Sequence, residues 1–233
     1  MPFRWLFDEG QAQEACLDKL AYPDWLKFVF DHPAVAKGED RWYCQDGADG
    51  FYFKDSRQFL MHLTRLLNDP EILLADYSSE QIKQGFWCFV TAFELPDILE
   101  DKEIKFEARG NCIAAFEPAY RRLFNRKGLE KLAFMYWDAL AYTFYSAQGR
   151  AESDDHRQVQ EAMFETLVKI LNHQERVNFI SALHGLGHLR HDGSAEAIMD
   201  SLYRRNDLRQ GDMSYAMACV RGDMDSLPAP ALC

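Results

Sequence analysis

The sequence lacks the features that mark membrane-spanning or secreted proteins. No apolar run approaches the roughly 20 residues of a membrane-spanning helix, and residues 1–10 lack the apolar stretch and cleavage site of a signal peptide. The six cysteines are scattered without a C-x-x-C pair, a distribution typical of reduced thiols rather than of a disulfide framework. We therefore expect a cytoplasmic protein that does not engage a membrane.

Nucleotide-binding and hydrolase motifs are also missing, and basic residues are in deficit. The sequence contains no G-x-x-x-x-G-K-[ST], G-x-G-x-x-G or G-x-S-x-G segment, so phosphate-loop, dinucleotide and hydrolase-elbow sites have no support. The 26 Lys and Arg residues stand against 37 Asp and Glu, which gives a formal net charge of −11. Because binding to a nucleic-acid backbone requires an excess of cations, we predict no nucleic-acid ligand. A basic protein partner matches this negative net charge better than a nucleic acid does.

The apolar residues that are present recur at helical spacing along almost the whole chain. They make up 48% of 233 residues, which is ample material for a core. We predict an all-α fold with a single domain over residues 1–222, comprising a divergent helical part (1–148) and helical hairpins (155–222). Residues 223–233 are predicted to form a flexible tail. Residues 41–53 depart from this pattern, because two aromatic clusters flank a Gly/Asp turn that predicts a small β-hairpin or a packed loop.

The segment 175–205 gives the clearest structural signal. Its first half carries an apolar stripe at three- and four-residue intervals, namely Phe179, Ile180, Leu183 and Leu186. Gly185 and Gly187 interrupt this helix with small residues, which predicts that a neighbouring helix approaches closely there. After a short turn, Ala195, Ile198 and Leu202 form the stripe of a second helix. The segment therefore predicts a helical hairpin.

This hairpin resembles the short variety of HEAT-like repeats, whose first helix carries an Ala-Leu-x-x-Leu-Gly core. The matching residues are Ala182, Leu183, Leu186 and Gly187, followed by Glu196, Ala197, Ile198 and Leu202. A partial echo follows at Ala216, Met217 and Val220. The resemblance covers the last third of the chain and implies stacked antiparallel helical hairpins, as in an α-solenoid or α–α superhelix. A generic helical hairpin is the alternative.

Three histidines form the sharpest chemical pattern. His184 and His188 are four residues apart and share a helix face, so both can reach one metal ion, and His191 or Asp192 could supply a third ligand. A zinc protease needs Glu directly after the first His, and Gly185 at that position excludes this chemistry. The simpler interpretation is that the histidines are packing and hydrogen-bonding residues at a helix end, without a cofactor.

Two functions from different classes follow from the sequence. The first is a non-enzymatic, protein-binding helical-repeat protein whose acidic surface engages a basic partner, as an immunity or inhibitor protein does. The alternative is a metal-dependent enzyme in a helical bundle that uses His184, His188 and His191 as ligands. The sequence does not indicate an oligomeric state.

Overall fold

The structure is a computed structural model that describes residues 15–35, 39–44, 51–226 and 230–232. These residues are predominantly helical, which confirms the predicted all-α class. The α-helices, in chain order, are α1 (Tyr22–Phe30), α2 (Ser56–Asn68), α3 (Leu73–Asp76), α4 (Ser79–Thr91), α5 (Leu95–Glu100), α6 (Phe106–Ala114), α7 (Phe116–Ala119), α8 (Glu130–Leu140), α9 (Tyr142–Ser146), α10 (Asp154–Leu171), α11 (Arg176–Leu189), α12 (Ser194–Arg204) and α13 (Gln210–Arg221).

Side-chain caps fix the starts of several helices. Asp55 accepts a hydrogen bond from Arg57 N at the start of α2, and Ser78 forms a capping box with Gln81 at the start of α4. These bonds satisfy backbone N–H groups that have no partner within the helix. Asp and Ser are among the residue types that favour this capping position most strongly.

The helical segment around Pro118 is split, because proline cannot donate a backbone hydrogen bond within a helix. α6 ends at Ala114, α7 contains the proline, and a π-helical turn spans Tyr120–Phe124. Gly128, with φ +91°, lies between this turn and α8. A residue with a Cβ adopts this left-handed backbone only at a cost, so glycine ends the segment there.

The hairpin predicted over residues 41–53 is not formed by the described part of that range. Trp42–Cys44 form a 3-10 turn, and Phe51–Tyr52 (β2) pair in parallel with Ala15–Cys16 (β1). Contacts with helices explain the difference: Trp42 and Phe51 both pack against Phe28 of α1, and Phe51 also packs edge-on against Phe93. The alternative of a packed loop therefore fits these residues better, while residues 45–50 lie outside the described ones.

Helix α11 occupies the centre of the C-terminal half. Every residue from Asn178 to Leu189 is buried, and the helix packs against α8, α10 and α13. The predicted one-sided stripe is therefore incomplete, because α11 is enclosed on all sides. Helix α12 is amphipathic by contrast, with Ile198 buried and Tyr203 fully in solvent. No helix among the described residues combines the length and apolar character needed to cross a bilayer.

The described part of the predicted tail begins in contact with the helices. A 3-10 turn spans Met224–Ser226, and Met224 is buried. Arg176 of α11 donates a hydrogen bond to the carbonyl of Ala231. These contacts close the C-terminal end of the helical layers over α11.

Candidate metal centre

Three side chains with metal-binding atoms meet where α8 packs against α11. His184 and His188 lie one turn apart on α11, and Asp138 lies near the end of α8. Asp138 Oδ1 is 2.6 Å from His184 Nε2 and 2.5 Å from His188 Nε2. One ligand atom from each residue lies within 4.8 Å of the other two. A single carboxylate oxygen therefore faces both imidazoles.

Glycine at position 185 allows the two helices to approach closely. A Cβ on Gly185 would lie 2.6 Å from Leu167 Cδ2 and 2.9 Å from Trp137 Cβ, both shorter than a van der Waals contact. Since Trp137 directly precedes Asp138, the approach that Gly185 permits also brings the carboxylate to the histidines. Gly187 lies two residues further along α11, and the side chain closest to it is that of Met224 in the C-terminal 3-10 turn. The predicted close approach of a helix is confirmed at Gly185, while at Gly187 the nearest atom belongs to this turn.

His184 is held on its far side by α13 and along its face by α8. Its Nδ1 lies 2.5 Å from the hydroxyl of Tyr215, and its ring stacks on Phe134 with centroids 4.1 Å apart. Burial raises the pKa of Tyr215, so the phenol stays protonated at neutral pH. When Nδ1–H donates to this hydroxyl, the lone pair of Nε2 is available on the side that faces Asp138.

His188 is enclosed mainly by rings. Its imidazole is nearly perpendicular to that of His184, with centroids 4.5 Å apart, and it meets Tyr145 edge-on at 4.9 Å. The guanidinium of Arg190 lies over the Tyr145 ring at 5.7 Å. His188 Nδ1 is buried without a hydrogen-bond partner, which leaves Nε2 as the atom directed towards the carboxylate.

The polar atoms of the cluster are close to one another but poorly hydrogen-bonded. Asp138 Oδ1 and His184 Nε2 lie 2.6 Å apart, yet their orientation does not meet hydrogen-bond geometry and both atoms are buried without a hydrogen-bond partner. A buried polar group left unsatisfied costs about 1–3 kcal/mol. A cation shared by the carboxylate and the two imidazoles would satisfy these atoms together, once the N–O separations of 2.5 and 2.6 Å widen to the roughly 3.4 Å between tetrahedral ligands.

The charge state of Asp138 suits it to bind a cation. Burial alone would raise its pKa, but the neighbouring His184 and His188 side chains outweigh burial and lower the pKa to about 2. Asp138 is therefore a carboxylate at neutral pH. Its side chain is 27% exposed, whereas each histidine side chain is 9% exposed. Oδ1 of Asp138 and Nε2 of His184 are themselves buried, so solvent reaches the rest of the carboxylate but not these two ligand atoms.

The donor set favours particular ions. Two imidazole nitrogens and one carboxylate oxygen suit Zn²⁺ and other first-row transition metals, whereas Ca²⁺ and Mg²⁺ prefer oxygen donors alone. Three protein ligands leave at least one coordination position free, as in catalytic rather than structural zinc sites.

His191 lies apart from this cluster, although the sequence suggests it as the third ligand. Its Nε2 is 3.1 Å from Glu161 Oε2, and its ring stacks on Phe164 of α10. The reason is local: α11 ends at Leu189, and the left-handed backbone of the next residue, Arg190 (φ +49°), turns the chain away from the helix axis. Asp192, the other residue weighed for this position, is also outside the cluster, and Asp138 takes the third place.

Sequence reasoning missed Asp138, but a signal was present. It is the sole charged residue between Leu132 and Gly149, a stretch otherwise rich in aromatic and aliphatic residues. A lone carboxylate in such a stretch is expensive to bury unless it has a partner. The partners themselves lie 46 and 50 residues further along the chain, beyond the reach of a local pattern.

Fold and site together define an all-α protein with a two-histidine, one-aspartate cluster between two buried helices. Comparisons with protein-family models, with curated proteins and with solved structures give no match for this chain.

Proposed function

We propose that this protein binds a first-row transition-metal ion, with Zn²⁺ as the best-suited candidate, through Asp138 Oδ1, His184 Nε2 and His188 Nε2. The observation that carries the proposal is the convergence of these three atoms on one point without good hydrogen bonds among them. Asp138 is ionised at neutral pH, as a metal-binding carboxylate must be.

A site with three protein ligands favours a reactive rather than a purely structural ion, because it leaves a coordination position for water. A Zn²⁺ ion held by Asp138, His184 and His188 would supply a nucleophile for hydrolysis at neutral pH, because zinc with three protein ligands acidifies water. Of the reaction classes that such an ion supports, metal-assisted hydrolysis requires the fewest additional groups. The metal-dependent alternative predicted from the sequence is thereby kept, with Asp138 in the place of His191 as the third ligand.

Metal analysis of the purified protein without an affinity tag tests the proposal. After dialysis against Zn²⁺, we expect about one bound equivalent in the wild type, and an affinity at least tenfold lower in His188→Ala, since one of three ligands is lost. His191→Ala is the matched control, because it removes a histidine from the next turn of chain without touching the cluster.

Circular dichroism establishes that each variant is folded. The proposal fails if the wild type binds none of Zn²⁺, Co²⁺, Mn²⁺, Fe²⁺ or Ni²⁺ stoichiometrically. It also fails if His188→Ala and His191→Ala bind the ion as tightly as each other.

Protein binding, which the acidic composition favours, is a second proposed function. The observation in its favour is that Met199 and Tyr203 lie one turn apart on α12 with 46% and 93% of their surface exposed. Large apolar side chains exposed together are typical of partner-binding surfaces, and the HEAT-like resemblance of this region supports the same function. The metal cluster and these residues have no member in common, so the two functions are independent.

A further inference from the structure

A groove runs along the surface between α10 and α12. Its volume is about 590 Å³, and its apolar lining includes Phe164, Val168 and Ala197. The two helices run in the same direction: a Cβ on Gly193 would lie 2.8 Å from Phe164 at one end, and Arg204 donates to Asn172 Oδ1 at the other. The groove is therefore a channel with two helical walls and a definite polarity.

Both walls carry the same order of charges at four-residue spacing. α10 presents Glu165 and Lys169 to the groove, and α12 presents Glu196, Asp200 and Arg204. Residues four apart share a helix face, so each wall is acidic first and basic in its last turn.

The acidic part of the groove is available to a partner. Glu165, Glu196 and Asp200 are exposed and form no ion pair within the described residues. Met199 and Tyr203 border the same acidic face of α12 by their helical spacing. Apolar contact area and unpaired carboxylates thus lie side by side.

We propose that this groove binds an amphipathic helix of a basic protein partner. The apolar face of that helix packs on Phe164 and Val168, and its Lys or Arg side chains flank Glu165, Glu196 and Asp200. Its carboxyl end, which carries the negative pole of the helix dipole, lies towards Lys169 and Arg204. The inference specifies a surface for the proposed protein-binding function and does not depend on metal binding.

Charge argues against a second copy of the chain as the occupant. Two copies that meet through this groove would bring its carboxylates close to those of the other copy, and each chain has a formal net charge of −11. Like charges placed together at an interface disfavour association. A cationic partner removes this repulsion.

The test uses a labelled amphipathic peptide with a leucine stripe flanked by lysines, and a second peptide with glutamate in place of each lysine. Fluorescence anisotropy in EDTA measures binding. We expect the lysine peptide to bind at least about tenfold more tightly than the glutamate peptide, and its affinity to fall as salt is added.

Paired charge reversals locate the binding surface. Glu196→Lys/Asp200→Lys changes the groove, whereas Asp76→Lys/Glu103→Lys makes the same change in net charge at exposed positions elsewhere. We expect the groove variant to lose about tenfold or more in affinity and the control to stay within about threefold of the wild type.

Several results would overturn the inference: no binding of the lysine peptide at low salt, equal binding of the glutamate peptide, or equal losses in the groove variant and the control. Self-association of the wild type that the groove variant abolishes would assign the groove to a second copy instead. A natural partner that binds the groove variant and the wild type equally would refute this surface while leaving the protein-binding function intact.

Discussion

Replacement of Gly185 by alanine tests whether the close contact of α8 with α11 builds the cluster. The new Cβ would lie 2.6 Å from Leu167 Cδ2 and 2.9 Å from Trp137 Cβ. The methyl group of Leu167 can move by rotation of its side chain, but Trp137 Cβ is one bond from the backbone of α8. Relief of the second contact therefore requires the helices to move apart.

The expected loss follows from two opposing effects. Overpacking in a tightly packed interior costs about 1–3 kcal/mol, while alanine has about 1 kcal/mol better helix propensity than glycine. Because the backbone of α8 must shift, the upper end of the first range applies. We expect Gly185→Ala to lower the free energy of unfolding by about 2 kcal/mol. Metal affinity falls as well, since Asp138 moves with its neighbour Trp137.

Urea-induced unfolding in EDTA measures the stability without a contribution from metal. Gly211→Ala is the matched control, because a Cβ at Gly211 of α13 meets no atom within 4 Å. That variant should be as stable as the wild type or gain up to about 1 kcal/mol. A Gly185→Ala protein at least as stable as the wild type would refute the role given to this glycine.

Three further predictions concern the groups around the cluster and one ion pair. Tyr215→Phe removes the hydroxyl that holds His184 Nδ1, so metal affinity measured by calorimetry should fall about 10- to 100-fold; an unchanged affinity would contradict this. In the folded state the pKa of Asp138 is about 2, below its ordinary 3.8, so its ionised form contributes about 2 kcal/mol of stability above pH 4 that is lost as pH falls towards 2. Asp138→Asn should therefore cost the metal-free protein more stability at pH 6 than at pH 3 in urea unfolding, and equal costs would count against the pairing. Asp212→Ala leaves Arg176 without its buried partner 2.5 Å away, and should lower the free energy of unfolding by about 3 kcal/mol; a loss below about 1 kcal/mol would mean that the pair contributes little.

The helical class and several helix ends could be predicted from the sequence because their causes are local. Asp55 and Ser78 cap helices through hydrogen bonds to residues two or three positions away. The left-handed backbone at Gly128 and Gly149 likewise depends on the residue itself. Such signals need no knowledge of the tertiary structure.

The segment over residues 41–53 shows where local patterns fail. Its aromatic residues satisfy a strand pattern, but Trp42 and Phe51 find their contacts on α1 and beside α4. Burial against helices, rather than pairing between the two aromatic clusters, decides their conformation. Aromatic composition alone does not distinguish these outcomes.

Only part of the candidate site could be predicted from the sequence, because a local pattern does not show which helices pack together. The spacing of His184 and His188 places them on one helix face, which is a local property. The third member depends on which helix packs against that face, and Asp138 reaches it only because Gly185 lets α8 approach. The turn at Arg190 is local and removes His191 from the cluster, but neither this turn nor the packing of α8 leaves a periodic signature in the sequence.

The most direct test of the account is a crystal structure of the protein soaked with Zn²⁺, with anomalous diffraction recorded on both sides of the zinc absorption edge. We predict a zinc ion at about 2.0–2.2 Å from Asp138 Oδ1, His184 Nε2 and His188 Nε2. Anomalous density at His191 and Glu161 instead, or a zinc-loaded crystal with none between α8 and α11, would contradict it.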